Sequence, residues 1–410
     1  VKFGLPVAPG DPDDWRSRAA DVIPGGSSTG SKRPSALYGS RALDSALPTH
    51  FERAEGCVVW APDGRRFTDL GMALGAVGIG YADEAVTRAV QGAAALGNVS
   101  ARPHRLEVEV AERLVDLIPC AEAVRFLRTG AEATAAAVRI ARAATQRTHI
   151  IGCGYFGWLD WCSDSAGVSP AIASETTWVP FGDVDALDAA VNQHAGDLAA
   201  VILEPLIHEI APRNWLAAAR AACDRTGAVL IFDEIKTAFR VRTGGVQELL
   251  SVLPDLTTIG KAMANGYPLA AVVGRSHLME AANRSWISST AATESTGLAA
   301  AKAVFDWHER VDVPERMARA GGALLALVQS ALADAPWVEV RADGPPMMWQ
   351  LTADVPEALD ALIASAAHAG VLLKRGAYQF GAVAHDQRAI DSVAAVLPGI
   401  MHDLQPGPRR

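Results

Sequence analysis

The chain has no run of eighteen uncharged apolar residues, and its first twenty residues hold no apolar core of the kind a secretion signal needs. Neither a membrane span nor export is supported. Positive charge is also short: 37 lysines and arginines stand against 46 aspartates and glutamates, a formal net charge of −9, and no dense basic cluster occurs. That balance argues against a nucleic-acid partner. Cysteine is scarce, with Cys57, Cys120, Cys153, Cys162 and Cys223 making an odd number at no repeating spacing. They read as reduced thiols, and a cytoplasmic location is expected. A nucleotide loop is missing as well. Gly71 to Gly80 holds four glycines, but no Gly-x-Gly-x-x-Gly follows a strand and no P-loop lysine comes after.

What the chain does have is length and apolar content. At 410 residues, half of them hydrophobic, it can bury a large core, and one big domain with a smaller companion is expected. Short apolar runs alternate with helical patterns. In Pro103 to Ile118, for example, Leu106, Val110, Leu114 and Leu117 recur at helical spacing, with Glu107, Glu109, Glu112 and Asp116 between them. Near-continuous apolar strands separated by helices predict an α/β fold: a mainly parallel sheet covered on both faces.

The richest stretch runs from Ala228 to Gly274. Val229 to Phe232 has the length and composition of a buried strand and delivers Asp233 and Glu234 at its carboxyl end, where open α/β sheets place ligand-binding residues. Twenty-eight residues later Lys261 follows a second apolar segment, so an amine and a carboxylate can face one cleft. That pair suits Schiff-base chemistry, with the aspartate keeping a pyridine nitrogen protonated. Taken alone, Asp233-Glu234 also suits a metal- or ATP-dependent hydrolase.

Two further segments bear on the choice. The strand Ala123 to Arg128 runs into Thr129-Gly130-Ala131 and a long alanine-rich helix; first-turn amides and the helix dipole can hold a phosphate there, although an ordinary helix cap has the same sequence. The strand at Ile150 leads into Tyr155-Phe156-Gly157-Trp158, an aromatic loop able to cover a flat ring. A hydrolase leaves this cup, this loop and Lys261 unexplained.

Together, IFDEIKTAFR from Ile231 and PDLTTIGKAMANGYPLAAVVG from Pro254 closely resemble the class III aminotransferases, fold-type I pyridoxal phosphate enzymes that include glutamate-1-semialdehyde aminomutase. The likeness can be followed from about Pro24 to His385. It implies pyridoxal phosphate bound as a Schiff base to Lys261, Asp233 on the ring nitrogen, and Thr129, Gly130 and Ala131 on the phosphate. Tyr155 takes the place of the family's stacking tyrosine, and Glu204, at the tip of the Ala199 to Leu203 strand, belongs to the shell around the cofactor. Thr290 matches a threonine that reaches the cofactor of the neighbouring subunit, which implies a homodimer, although a helix cap also fits its surroundings. Lys32 and Arg33, in the Gly- and Ser-rich Ile23 to Pro34 loop, and Arg375 are candidate contacts for a substrate anion. Trp158 is a candidate wall of the substrate pocket, and no metal is implied.

The chain departs from the family at several positions. Ala131 replaces a threonine, Phe156 a histidine, Leu206 to Ile210 a glycine-rich segment, and Thr293-Glu294-Ser295 a Gly-Asn-Pro. The apolar changes favour external amino transfer between unlike substrates over the internal shift of an aminomutase. His208 is expected to be structural. The domains are expected at 1–65, 66–310 and 311–410, the outer two forming a smaller α+β domain with strands at Trp337 to Arg341, Pro346 to Leu351 and Val371 to Leu373. The tail after Pro406 is expected to fray.

Overall fold

The computed structural model describes residues 12–376 and 378–406. The chain forms two compact units: the chain ends, up to Asp83 and from Arg316 onward, and the middle, Glu84–Glu315. The first division falls well beyond residue 65 because the glycine-rich 71–81 stretch stays with the chain ends. Gly56 bridges Tyr81, and the carbonyls of Gly78 and Ile79 accept from Val383 and Ala384 at 2.9 and 2.8 Å. The tail expected to fray lies outside the described residues.

In the chain-end unit, β1 (Arg53–Glu55), β2 (Val58–Trp60) and β3 (Arg66–Asp69) form an antiparallel ladder. The β2–β3 turn uses Asp63, whose Oδ1 accepts from Arg65 N at 2.9 Å, and Gly64 at φ 86°, the left-handed backbone that glycine adopts without strain.

The middle unit is a seven-stranded sheet. In chain order its strands are β4 (Ala123–Leu127), β5 (His149–Cys153), β6 (Thr176–Trp178), β7 (Leu198–Leu203), β8 (Val229–Asp233), β9 (Leu256–Ile259) and β10 (Ala270–Gly274). Their spatial order is β4-β10-β9-β8-β7-β5-β6. Only β10 is antiparallel to its neighbours; β9, β8, β7, β5 and β6 pair in parallel. Every residue of β7 and β8 is buried, as expected for parallel strands covered on both faces. The helix Gly130–Thr145 packs across β4 and β7 to β10, and Arg213–Thr226 packs on β7 and β8.

The chain-end unit is completed by β11 (Arg341–Asp343), β12 (Met348–Thr352), β13 (Val371–Leu372) and β14 (Tyr378–Phe380). β13 joins β3 in parallel; β11, β12 and β14 form a separate antiparallel sheet. Trp337 to Val340, expected as a strand, is irregular. The Trp337 indole donates to Met401 O at 3.0 Å, so this segment packs on the last helix instead of joining a ladder. Among the described residues no helix is long and apolar enough to cross a membrane.

Candidate active site

Strand direction gathers the site. β4, twice reversed through β10, runs parallel to β9, so the carboxyl ends of β4, β5, β7, β8 and β9 share one edge of the sheet. That edge carries Thr129 after β4, Gly154-Tyr155 after β5, Glu204 after β7, Asp233 at the end of β8, and Lys261 one residue past Gly260 after β9. Ile235 joins two of these corners. A Cβ built on Gly130 would lie 3.2 Å from its Cγ2, and one on Gly260 3.2 Å from its Cδ1.

Lys261 and Asp233 interact electrostatically in a dry setting. Asp233 is buried, and both Ile235 N, at 3.0 Å, and Thr258 Oγ1, at 2.9 Å, donate to its Oδ1, leaving Oδ2 for another donor. Burial and the nearby Glu204 charge push the Asp233 carboxyl up. Burial, and then the Lys236 charge, push the Lys261 amine down, against the pull of Asp233 and Glu204. Lys261 itself sits at φ 45°, an unfavourable backbone for a non-glycine residue, held between β9 and the turn Lys261–Ala264.

Glu204 joins the shell from β7. Its Oε2 accepts from Tyr155 N at 2.9 Å, and its Oε1 lies 2.7 Å from Lys236 Nζ. Gly154 permits this approach, because a Cβ there would sit 2.5 Å from Glu204 Cγ. Glu234, the neighbour of Asp233, faces elsewhere. It accepts from Thr237 Oγ1 at 2.5 Å, Val246 N at 2.8 Å and Gln247 N at 3.0 Å, and so orders the loop after β8.

Thr129 caps the helix Gly130–Thr145. Its Oγ1 accepts from Glu132 N at 3.3 Å, and Glu132 Oε2 accepts from Thr129 N at 2.9 Å, a reciprocal capping box. The hydroxyl therefore serves the cap. Gly130 and Ala131 supply the first-turn amides that the box does not use. Gly157, at φ 105°, lies against them, since a Cβ there would sit 2.5 Å from Ala131 Cβ, and Thr134 Oγ1 donates to Phe156 O at 2.7 Å.

The aromatic loop divides. Tyr155 and Trp158 are 70% and 74% exposed, whereas Phe156 is buried and stacks on Trp161 and Trp178 at 5.6 and 5.9 Å. Phe156 and Trp161 are thus core, and only Tyr155 and Trp158 are available to a ligand. Thr290 is exposed on a stretch pinned at both ends to the end of β4: Arg125 donates to Ile287 O at 2.6 Å, and Arg128 pairs with Glu294 at 2.8 Å. Glu294 caps the helix Ser295–Arg310 through Thr296 N and Gly297 N. His208, expected to be structural, is exposed.

Lys32, Arg33 and Arg375 belong to the chain-end unit. Lys32 and Arg33 are exposed, but Arg375 Nε is bonded to the buried carboxylate of Asp360, which also accepts from Ser40 N at 2.8 Å. Lys236, Ile235 and Thr258 were not singled out by the sequence. A second lysine inside IFDEIKTAFR was the one available signal.

Comparison with known proteins gives consistent results. The family model described as Aminotransferase class-III matches residues 39–379. The chain is 32% identical over 349 residues to the 3-aminobutyryl-CoA aminotransferase of Cloacimonas acidaminovorans, covering 83% of each protein. It is 36% identical over 281 residues to the glutamate-1-semialdehyde 2,1-aminomutase of Rhodopirellula baltica, covering 64% of this chain and 62% of that protein. Among solved structures, the PLP internal aldimine form of the FumI protein of Sphingopyxis superimposes with a TM-score of 0.89 at 26% identity over 96% of each chain.

Proposed function

We infer the function from one premise: the chain belongs to the class III aminotransferase family. It is a pyridoxal-phosphate-dependent aminotransferase, moving an amino group from a donor amine or amino acid to a keto or aldehyde acceptor. The residues present fit that cofactor. Asp233 is a buried carboxylate with one oxygen left to accept, raised by burial and by Glu204, and a protonated ring nitrogen is a donor that this oxygen would suit. Gly130 and Ala131 offer amides at a helix start, where a phosphate is stabilised. Pyridoxal phosphate, when bound, supplies an aldehyde to take up the amino group and a protonated ring to accept electrons from the substrate carbon.

The chain's own residues do the remainder. Lys261 Nζ would hold the aldehyde and, when free, would take the proton from the carbon bearing the amino group and deliver it to the former aldehyde carbon, which moves the double bond and leaves the nitrogen on the cofactor. An amine pushed down by burial is deprotonated often enough near neutral pH to act as that base. Asp233 Oδ2 would hold the ring nitrogen, Tyr155 and Trp158 would cover the ring and substrate, and Glu204 fixes the loop that carries Tyr155. Lys32 and Arg33 remain the candidates for a substrate carboxylate, and Arg375 binds one only by sharing its guanidinium with Asp360. We assign the active form to a homodimer, in which Thr290 serves the partner's site, and place it in the cytoplasm, on the reading that its five unpaired cysteines stay reduced.

The observation that supports this reading best is the pairing of half-buried Lys261 with buried Asp233 at adjacent strand ends, beside a capped helix start. The test is borohydride fixation of the pyridoxal-phosphate-loaded chain followed by peptide mass mapping. Label on Lys261 is expected; label elsewhere with Lys261 unmodified refutes the assignment. An aminomutase remains the second reading, on the strength of the Rhodopirellula relative. Multiple turnover of glutamate-1-semialdehyde to 5-aminolevulinate without response to any external donor would select it.

A further inference from the structure

Lys236 has no part in the chemistry described so far, yet it is a largely buried ammonium among the charged groups that act on Lys261. Its side chain is largely buried, and its Nζ lies 2.7 Å from Glu204 Oε1. The other oxygen of Glu204 accepts from Tyr155 N at 2.9 Å, and Glu204 N donates to Cys153 O at 2.9 Å. One carboxylate thus ties the segment after β8 to the loop after β5. The approach is tight, since Gly154 is the only residue type that leaves room for the Glu204 stem.

We propose that Lys236 is a positioning residue for the amino-transfer reaction: its ion pair with Glu204 fixes the Tyr155 loop and holds a second ammonium at the sheet edge that carries Lys261. The charged groups acting on Lys261 are Lys236, Asp233, Glu204 and Arg240, two of each sign. Lys236 and Arg240 favour the free amine; Asp233 and Glu204 favour the ammonium. In this balance Lys236 is the largest influence after burial itself. Because the pair is buried, its charges are weakly screened and act on Lys261 at short range. A free amine is what both cofactor capture and proton abstraction require, so Lys236 keeps Lys261 competent near neutral pH.

The inference rests on Lys261 being the cofactor-holding amine, and the experiment separates the two claims. Full-length chain stripped of cofactor is mixed with pyridoxal phosphate from about pH 6 to about pH 10, spanning the range in which a depressed lysine titrates, and the growth of near-visible absorbance is timed. The rate follows the unprotonated fraction of the capturing amine. A Lys261→Ala chain that loads at the wild-type rate would refute the cofactor assignment, not the role of Lys236.

Given a Lys261-dependent signal, Lys236→Met is expected to raise the midpoint by about one pH unit, equivalent to about tenfold slower loading on the acid side. Glu204→Gln is expected to lower it, and Lys236→Arg to keep it near wild type. Opposite shifts are the mark of charge, because the loss of a merely structural contact moves both variants the same way. Thermal unfolding confirms that each variant is folded; should Lys236→Met fail to fold, the sign of the Glu204→Gln shift decides. Parallel shifts, or unmoved midpoints in folded variants, overturn the proposal.

Discussion

Asp233 shows what a single residue needs before it can serve as the partner of a ring nitrogen. Ile235 N and Thr258 Oγ1 both bind Oδ1, so the carboxylate cannot rotate freely and Oδ2 has a fixed aim. Asp233→Asn keeps those two acceptor contacts and removes the charge. Its turnover is expected to fall by several kcal/mol of transition-state stabilisation, about a hundredfold or more, with little change in unfolding temperature. A turnover within about threefold of wild type, under about 1 kcal/mol, would remove the aspartate from this role. Lys261→Ala is expected to abolish steady-state transamination while the chain still folds and holds the cofactor without a covalent bond, which absorbance after gel filtration reports. Near wild-type transamination by that variant would sink the assignment. Both residues were legible because each is a charged group at the end of an apolar run, a placement that burial otherwise discourages. Lys236 was not legible, because a lysine two residues past Glu234 reads as surface until the fold shows Glu204 beside it.

At the scale of elements, the long parallel strands and the helices between them could be read directly, since apolar runs without polar alternation fit only a strand covered on both faces. β6 and β14, three residues each, were missed because so short a segment has no period and gains its strand character only from pairing with β5 and β12. The helix Gly130–Thr145 illustrates what sequence gives and withholds. Its start was expected at Thr129, but whether Thr129 or the amides after it would face a ligand depended on the capping box. The contact of Gly157 with Ala131 gives the test: Gly157→Ala forces a Cβ into a position 2.5 Å from Ala131 Cβ and must lift the aromatic loop from the helix start. Weaker cofactor affinity, by about tenfold, is expected in an absorbance titration, a loss of about 1.4 kcal/mol. An unchanged affinity would show that this corner does not touch the phosphate.

A second element-level prediction concerns the chain-end unit. His385 is buried; its Nδ1 accepts from Ala382 N at 3.0 Å, and its Nε2, carrying the proton, lies 3.0 Å from Asp69 O, joining the turn before the last helix to β3. Burial pushes this imidazole down to about 4, against the smaller upward pulls of the Asp69 carbonyl and the Asp386 charge. A depressed histidine binds its proton more readily in the unfolded chain, so its contribution is complete above the unfolded value near 6.5 and is lost as pH falls towards 4. Chemical denaturation at descending pH should show the wild type losing about 3 kcal/mol from this group over that window, and His385→Gln should flatten the loss. Equal slopes for both chains would refute it.

For the whole molecule, the question is whether one chain can complete its own site. Thr290 is exposed, and so are Trp286, Tyr155 and Trp158, at 87%, 70% and 74%, all in the middle unit. Arg125 and Arg128 hold the Ile287 to Glu294 stretch firmly at both ends, so Thr290 is presented outward on a fixed segment. A large aromatic, Trp286, left in water next to such a segment suits burial against a second copy, and a homodimer is expected by sedimentation at assay concentration. An active monomer would refute it. Dimerisation alone leaves open which chain's cofactor Thr290 serves, and mixing variants settles that. Thr290→Val is expected to weaken cofactor binding by roughly tenfold, as loss of one hydrogen bond to a charged phosphate predicts. Lys261→Ala is inactive at its own site but keeps Thr290. If Thr290 acts across the interface, each mixed dimer contains one site with both Lys261 and Thr290 and one with neither. At low cofactor concentration a randomly paired equal mixture should then regain wild-type affinity at about half of its Lys261-bearing sites, those in the mixed dimers. If Thr290 acts within its own chain, every Lys261-bearing site in the mixture keeps the weakened affinity, and no regain is seen.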